Sequence, residues 1–152
     1  MEKTATHLPH SHQSGGRYNQ GERIGLICLG LLLFALLFTA AMLEPNPAGL
    51  GTHMQLGLPG CTMYTFSGIR CPGCGMTTSW AHTMNGNLES AIRSNVGGVL
   101  LCFLSIAVFP CLLWMGIRGK SMPSNWFSQV AITVLLIAMA ISILEWLIRL
   151  AF

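Results

Sequence analysis

Charge is what this sequence has least of. Its 152 residues include 8 Lys and Arg and 5 acidic residues, 9% in all, where a water-facing domain carries about a quarter. That scarcity excludes an ordinary soluble globule, which could not cover its surface. A basic footprint is missing as well. The net charge is only +3 and the Lys and Arg residues are scattered, so neither a nucleic-acid partner nor a polybasic membrane-surface segment is implied. Glu44, Glu89 and Glu145 are too dispersed to suggest a carboxylate pair. There is no phosphate-cradling glycine loop, no HExxH helix and no serine-nucleophile elbow.

What fills the chain instead is apolar sequence in three long runs. Ile24–Leu43 is an unbroken stretch of 20 residues, about 30 Å as a helix and enough to cross a bilayer. Val96–Ile117 is a second run, with Pro110 inside it predicting a kink, and Gln129–Ile148 is a third. Hydrocarbon offers backbone groups no partner, so each run must be helical. The expected fold is an all-α integral membrane protein with three transmembrane helices, about 24–43, 96–117 and 129–148. A cysteine-bearing interfacial or re-entrant helical loop over 44–95 would join the first two. The first run is too long for a signal-peptide core and no small-x-small cleavage site stands cleanly after it, so it reads as retained.

Placement of Lys and Arg sets the expected orientation. With the N-terminus inside, Lys3, Arg17, Arg23, Arg118 and Lys120 are cytoplasmic, and Arg70, Arg93 and Arg149 lie outside. That puts the cysteine loop on the outer, oxidising face of an inner cell membrane. Residues 1–23 read as a disordered polar tail, in which His7, His10 and His12 could catch a divalent metal weakly. Residues 24–152 read as one membrane domain.

Within the loop, the prolines and glycines of Glu44–Gly60 break regular structure, while Leu50, Met54, Leu56 and Leu58 suggest that it lies against the membrane. Met76–Met84 reads as a short helix with Thr77 as its N-cap and Asn85-Gly86 as its stop, and Asn87 would cap a second helix, Leu88–Ser94. Trp80 suits an interface. In the third run, Glu145 and Arg149 are spaced to pair near the helix end as an interfacial anchor. Ala138 and Ser142 offer a small-residue strip for close helix contact.

Six cysteines carry the chemistry. Cys28, Cys102 and Cys111 fall in the predicted spans, where a thiol packs as a small hydrophobe. Cys61, Cys71 and Cys74 share the loop. Cys71-Pro72-Gly73-Cys74-Gly75 has the form of a metal knuckle, but only one knuckle exists. A closed tetrahedral zinc site would need Cys61 and a fourth ligand, with His82 and His53 the candidates. The same pair, at the start of a helix, reads as a redox centre at Cys71 and Cys74. The strands of a thioredoxin context, a second cysteine pair and any mark of a quinone site are missing. A third reading is structural, with one disulfide closing the loop and one thiol left over. The three readings stay open on the residues alone.

The stretch CPGCGMTTSWAHTMNGNLESAIRSN, with GTHMQLGLPGC upstream, resembles the uncharacterised bacterial membrane family known as domain of unknown function 2752. Its members look like CPxCGxT followed by a small-residue helix and an Asn before an apolar span. Cys61, Cys71, Cys74, Gly75 and Thr77 match that pattern, whereas Thr78 stands where many members have arginine and Asn87 where many have aspartate. The resemblance implies a small polytopic membrane protein without an established activity. The expected role is structural or accessory, with the lipid bilayer and another membrane protein as partners. A zinc-binding protein and a membrane thiol-disulfide oxidoreductase are the alternatives.

Overall fold

The computed structural model describes residues 17–120 and 126–151. His7, His10 and His12 lie outside the described residues, as does most of the turn between the second and third spans. Among the described residues there is helix and one isolated backbone bridge, Arg17 to Lys120, and no strand. The spans are α1 (Gln20–Met42), α5 (Val96–Arg118) and α6 (Trp126–Ala151), and three short helices lie between the first two: α2 (Thr62–Ser67), α3 (Met76–Met84) and α4 (Leu88–Ser94). A single 3-10 turn, Thr52–Leu56, precedes α2.

Each long helix exceeds its apolar run, because polar residues at the ends still satisfy helical hydrogen bonds. Asn19 and Glu22 form a reciprocal capping box, with both bonds at 2.8 Å, so α1 starts at Gln20 and the polar tail read over 1–23 ends earlier than expected. At 23 residues, α1 and α5 are each long enough for a bilayer. Pro110 lies inside α5, which runs on through it as one helix.

The three spans alternate in direction. The start of α1 meets the end of α5, where Arg23 donates from Nε to the Gly116 carbonyl (2.9 Å) and from Nη2 to that of Ile117 (2.8 Å). These are orphan carbonyls of a helix C-terminus, where a cation is also favoured by the helix dipole. Phe34 of α1 packs on Phe109 of α5 with ring centroids 5.8 Å apart. Against α6, α5 turns Gly97, whose absent side chain would lie 2.5 Å from the Ala138 carbonyl. Ala138 and Ser142 are buried there, so the small-residue strip serves close helix contact. Only 11% of the apolar window of α6 is buried inside the protein. The rest of that helix presents apolar side chains outward, as a lipid-facing helix does.

At the opposite end from Arg23, residues 43–95 form a small helical cap over the bundle. Its core is polar and small. Thr52 and Thr78 are fully buried and joined Oγ1 to Oγ1 at 2.8 Å. Asn87 accepts from the Ser90 N–H and caps α4, as its sequence position predicts. Thr77 does not cap α3. The helix runs over Met76–Met84 as read, but its N-cap is Gly75, two residues earlier and in the left-handed region, which places Thr77 inside the first turn.

Glu145 and Arg149 approach to 3.8 Å but do more than anchor α6. The carboxylate accepts from the Val96 N–H (3.3 Å), at the positive end of α5, and Arg149 donates to the Ser94 carbonyl (3.3 Å). Together they fasten the end of α6 to the α4–α5 junction.

Candidate thiol site

The three loop cysteines arrive from two directions. Cys61 immediately precedes α2, and its carbonyl accepts from the Thr65 N–H and hydroxyl. Cys71 and Cys74 bracket a tight turn closed by the Cys74 N–H on the Cys71 carbonyl (3.0 Å). Gly75 then takes φ +85°. A side chain at Gly75 would meet the carbonyls of Ser94 (2.6 Å) and Gly49 (2.7 Å), so only glycine fits there.

The outcome is a cluster. The sulfurs of Cys61, Cys71 and Cys74 all lie within 4.8 Å of one another. Cys71 Sγ and Cys74 Sγ are 3.2 Å apart, all six cysteines are free thiols, and the Cys71 N–H points at Cys74 Sγ (3.3 Å). An N–H aimed at a sulfur favours its thiolate form, as a metal knuckle requires.

The thiols are electrostatically unequal. Cys61 is lowered to about 7, first by the Tyr64 N–H facing it and then by the Cys74 thiol. Burial, with the neighbouring Cys71 and Cys61 thiols, pushes Cys74 up to about 12. Of these two, Cys61 gives up its proton the more readily, and Cys74 keeps its own as a donor to its neighbours.

These sulfurs line a cavity of about 590 Å³ whose walls include His53, Met54, Leu58, Tyr64 and Met76. His53, a candidate fourth ligand, stands on this cavity, with Nε2 in hydrogen-bond contact with the Pro59 carbonyl at 3.1 Å. His82, the other candidate, is not gathered in. It faces a separate cavity of about 440 Å³ with Arg70, Ser90 and Arg93. Its Nδ1 is buried without a partner, and burial lowers its pKa. The reason is geometric, since His82 follows Cys74 by two turns of helix, a rise of roughly 10 Å. Of the remaining cysteines, Cys102 is fully buried in α5, Cys111 is half-buried and Cys28 is exposed on α1.

A residue that sequence reasoning did not single out holds the cluster in place. Asn95 is 1% exposed. Its Oδ1 accepts from the Gly98 N–H (2.7 Å), capping α5, and from the Ser142 hydroxyl (3.3 Å). Its Nδ2 donates to the carbonyls of Pro72 (3.2 Å) and Cys74 (3.4 Å). One amide thus ties the knuckle to two spans. The available signal was the asparagine that the family places before its apolar span. Thr78, where many family members have arginine, is here the buried partner of Thr52.

Chemically, three soft donors suit a thiophilic cation. Thiolates on a tetrahedral zinc stand roughly 3.8 Å apart, so the observed spacings need only sub-ångström to ångström adjustments. A metal could be held by this set. No curated protein and no solved structure matches the chain. Residues 61–114, from the first loop cysteine through most of α5, match the family model described as "Protein of unknown function (DUF2752)", the family that the CPGCG stretch resembles.

Proposed function

We propose that this chain is a structural or accessory membrane protein whose loop is organised by a thiophilic metal ion, zinc in the first instance, held by Cys61, Cys71 and Cys74. The observation that carries this reading is the convergence of three free sulfurs within 4.8 Å. A loop-closing disulfide needs two sulfurs and gives no reason for the third to join them. A metal would link the start of α2 to the knuckle, and Asn95 extends that link to α5 and α6. The fourth ligand would be water or, after leaving the Pro59 carbonyl, His53 of the same cavity wall. Binding would displace the proton that Cys74 holds at neutral pH, so affinity rises with pH.

The orientation with the loop outside is part of this proposal. Arg17, Arg23, Arg118 and Lys120 gather at one end of the bundle, and Arg70, Arg93 and Arg149 belong to the other. Once a chelator has removed the metal, an impermeant thiol reagent should reach Cys61 in intact cells.

Intact-mass and metal analysis of gently purified protein tests the metal reading. About one zinc per chain is expected, lost in Cys71→Ser and Cys74→Ser. A folded, metal-free chain with three alkylatable loop thiols overturns it. A chain two mass units lighter, with Cys71 joined to Cys74, favours the thiol-disulfide reading instead, which the thiolate character of Cys61 beside that pair would serve.

A further inference from the structure

A second concavity lies at the same end of the bundle, between the turn that closes α2 and the last two turns of α6. It encloses about 480 Å³ and is lined by Gly68, Ile69, Arg70, Trp146, Arg149 and Leu150. Its polar lining side chains are hydrogen-bond donors. Among the described residues Arg70 has no carboxylate partner, and its side chain makes one hydrogen bond, at 3.4 Å to the Ala48 carbonyl, at the limit of such a bond. Arg149 has its charge partly answered by Glu145 at 3.8 Å, but that carboxylate is also engaged by the Val96 N–H. Trp146 Nε1 is buried with no partner at all. A buried indole N–H left unpaired is costly, and structures seldom leave one so.

Two arginines and a tryptophan whose N–H is unpaired line this one space, a set that suits an anion with several acceptor oxygens. A phosphate has that shape, and guanidinium groups match it with paired bonds. Depth selects the source. Trp146 to Leu150 form the end of a membrane-spanning helix, the level at which headgroups lie. The lining is also apolar, with Ile69 43% and Leu150 44% exposed. An acyl chain would cover those side chains, whereas a free ion would leave them bare.

We propose that Arg70, Trp146 and Arg149 form a binding site for the phosphodiester of a phospholipid, whose acyl chain lies along Ile69 and Leu150. The site is separate from the thiol cluster and does not depend on a metal there. Because Arg70 directly precedes Cys71, an occupied site would also steady the turn that carries the knuckle.

Native mass spectrometry of the detergent-solubilised full chain, titrated with phosphatidylglycerol, tests the assignment. Diacylglycerol of the same chain length and inorganic phosphate are the comparison ligands. One phosphatidylglycerol per chain is expected, with diacylglycerol not retained and inorganic phosphate far weaker. Arg70→Gln should weaken lipid binding about tenfold, the effect of losing one charge-assisted pair. Trp146→Phe keeps the ring, removes the N–H and should weaken binding several-fold, with helicity unchanged. If Arg70→Gln does not fold, Trp146→Phe decides alone. Retention of diacylglycerol as strong as that of the phospholipid overturns the proposal, as does unaltered binding in the folded variants. Inorganic phosphate binding as tightly as the lipid overturns the lipid assignment.

Discussion

Replacing Asn95 by alanine would remove one side chain from four hydrogen bonds at once. The Gly98 N–H loses its cap, at a cost of about 1 kcal/mol. The Ser142 hydroxyl and the carbonyls of Pro72 and Cys74 lose their partner in a site that is 1% exposed, and stranding such groups adds about 1–3 kcal/mol. A loss of about 3 kcal/mol in all is expected. The consequence should also be local: the knuckle is freed from α5, and the buried Cys74 thiol should react with a small alkylating reagent about tenfold faster through local opening. Asn95→Ser separates the two arms. A serine oxygen can still cap the helix, restoring about 1 kcal/mol, but it cannot donate as an amide to both knuckle carbonyls. Stability should recover in part while Cys74 stays reactive. Equilibrium unfolding in mixed detergent micelles gives the first quantity, and mass-resolved alkylation gives the second. A loss below about 1 kcal/mol in Asn95→Ala, together with an unchanged Cys74 rate, would refute the role given to this residue.

Two further expectations concern the loop. Gly75→Ala forces a side chain into the left-handed region and against two carbonyls 2.6 and 2.7 Å away; backbone strain of about 1–3 kcal/mol plus the clash should cut accumulation of folded protein severely, and wild-type yield with a normal elution profile would contradict that account. In metal-free protein, alkylation of Cys61 should rise as pH increases through about 7, below the ordinary thiol range, because its thiolate is stabilised by the Tyr64 N–H and the Cys74 thiol. Cys74, pushed up to about 12, should remain slow across the same range, and equal pH profiles for the two would show that the thiols are not differentiated.

The spans were legible because lipid imposes a length and an apolar composition that no fold detail can alter. Their ends were less so. Gln20 to Arg23 look polar, yet the Asn19 and Glu22 caps extend α1 through them. The stop at Asn85-Gly86 and the cap at Asn87 were readable, since both act within a few residues. The Thr77 cap was misplaced by two residues, because Gly75 is held by contacts with Ser94 and Gly49 that are remote in sequence. Glu145 and Arg149 were visible as a pair, but their partners Val96 and Ser94 were not, being 49 and 55 residues away.

By itself, the sequence determined that this is a three-span helical membrane protein with three chemically available cysteines in one loop, because hydrophobic length and residue type are local properties. The tertiary structure decided which of the loop residues meet. It brings Cys61 to Cys71 and Cys74, places His53 on the cavity wall, carries His82 away along α3, and makes Asn95 the link to the spans. Those outcomes depend on how a loop of many small turns folds back on the bundle, and no pattern of neighbouring residues encodes that distance.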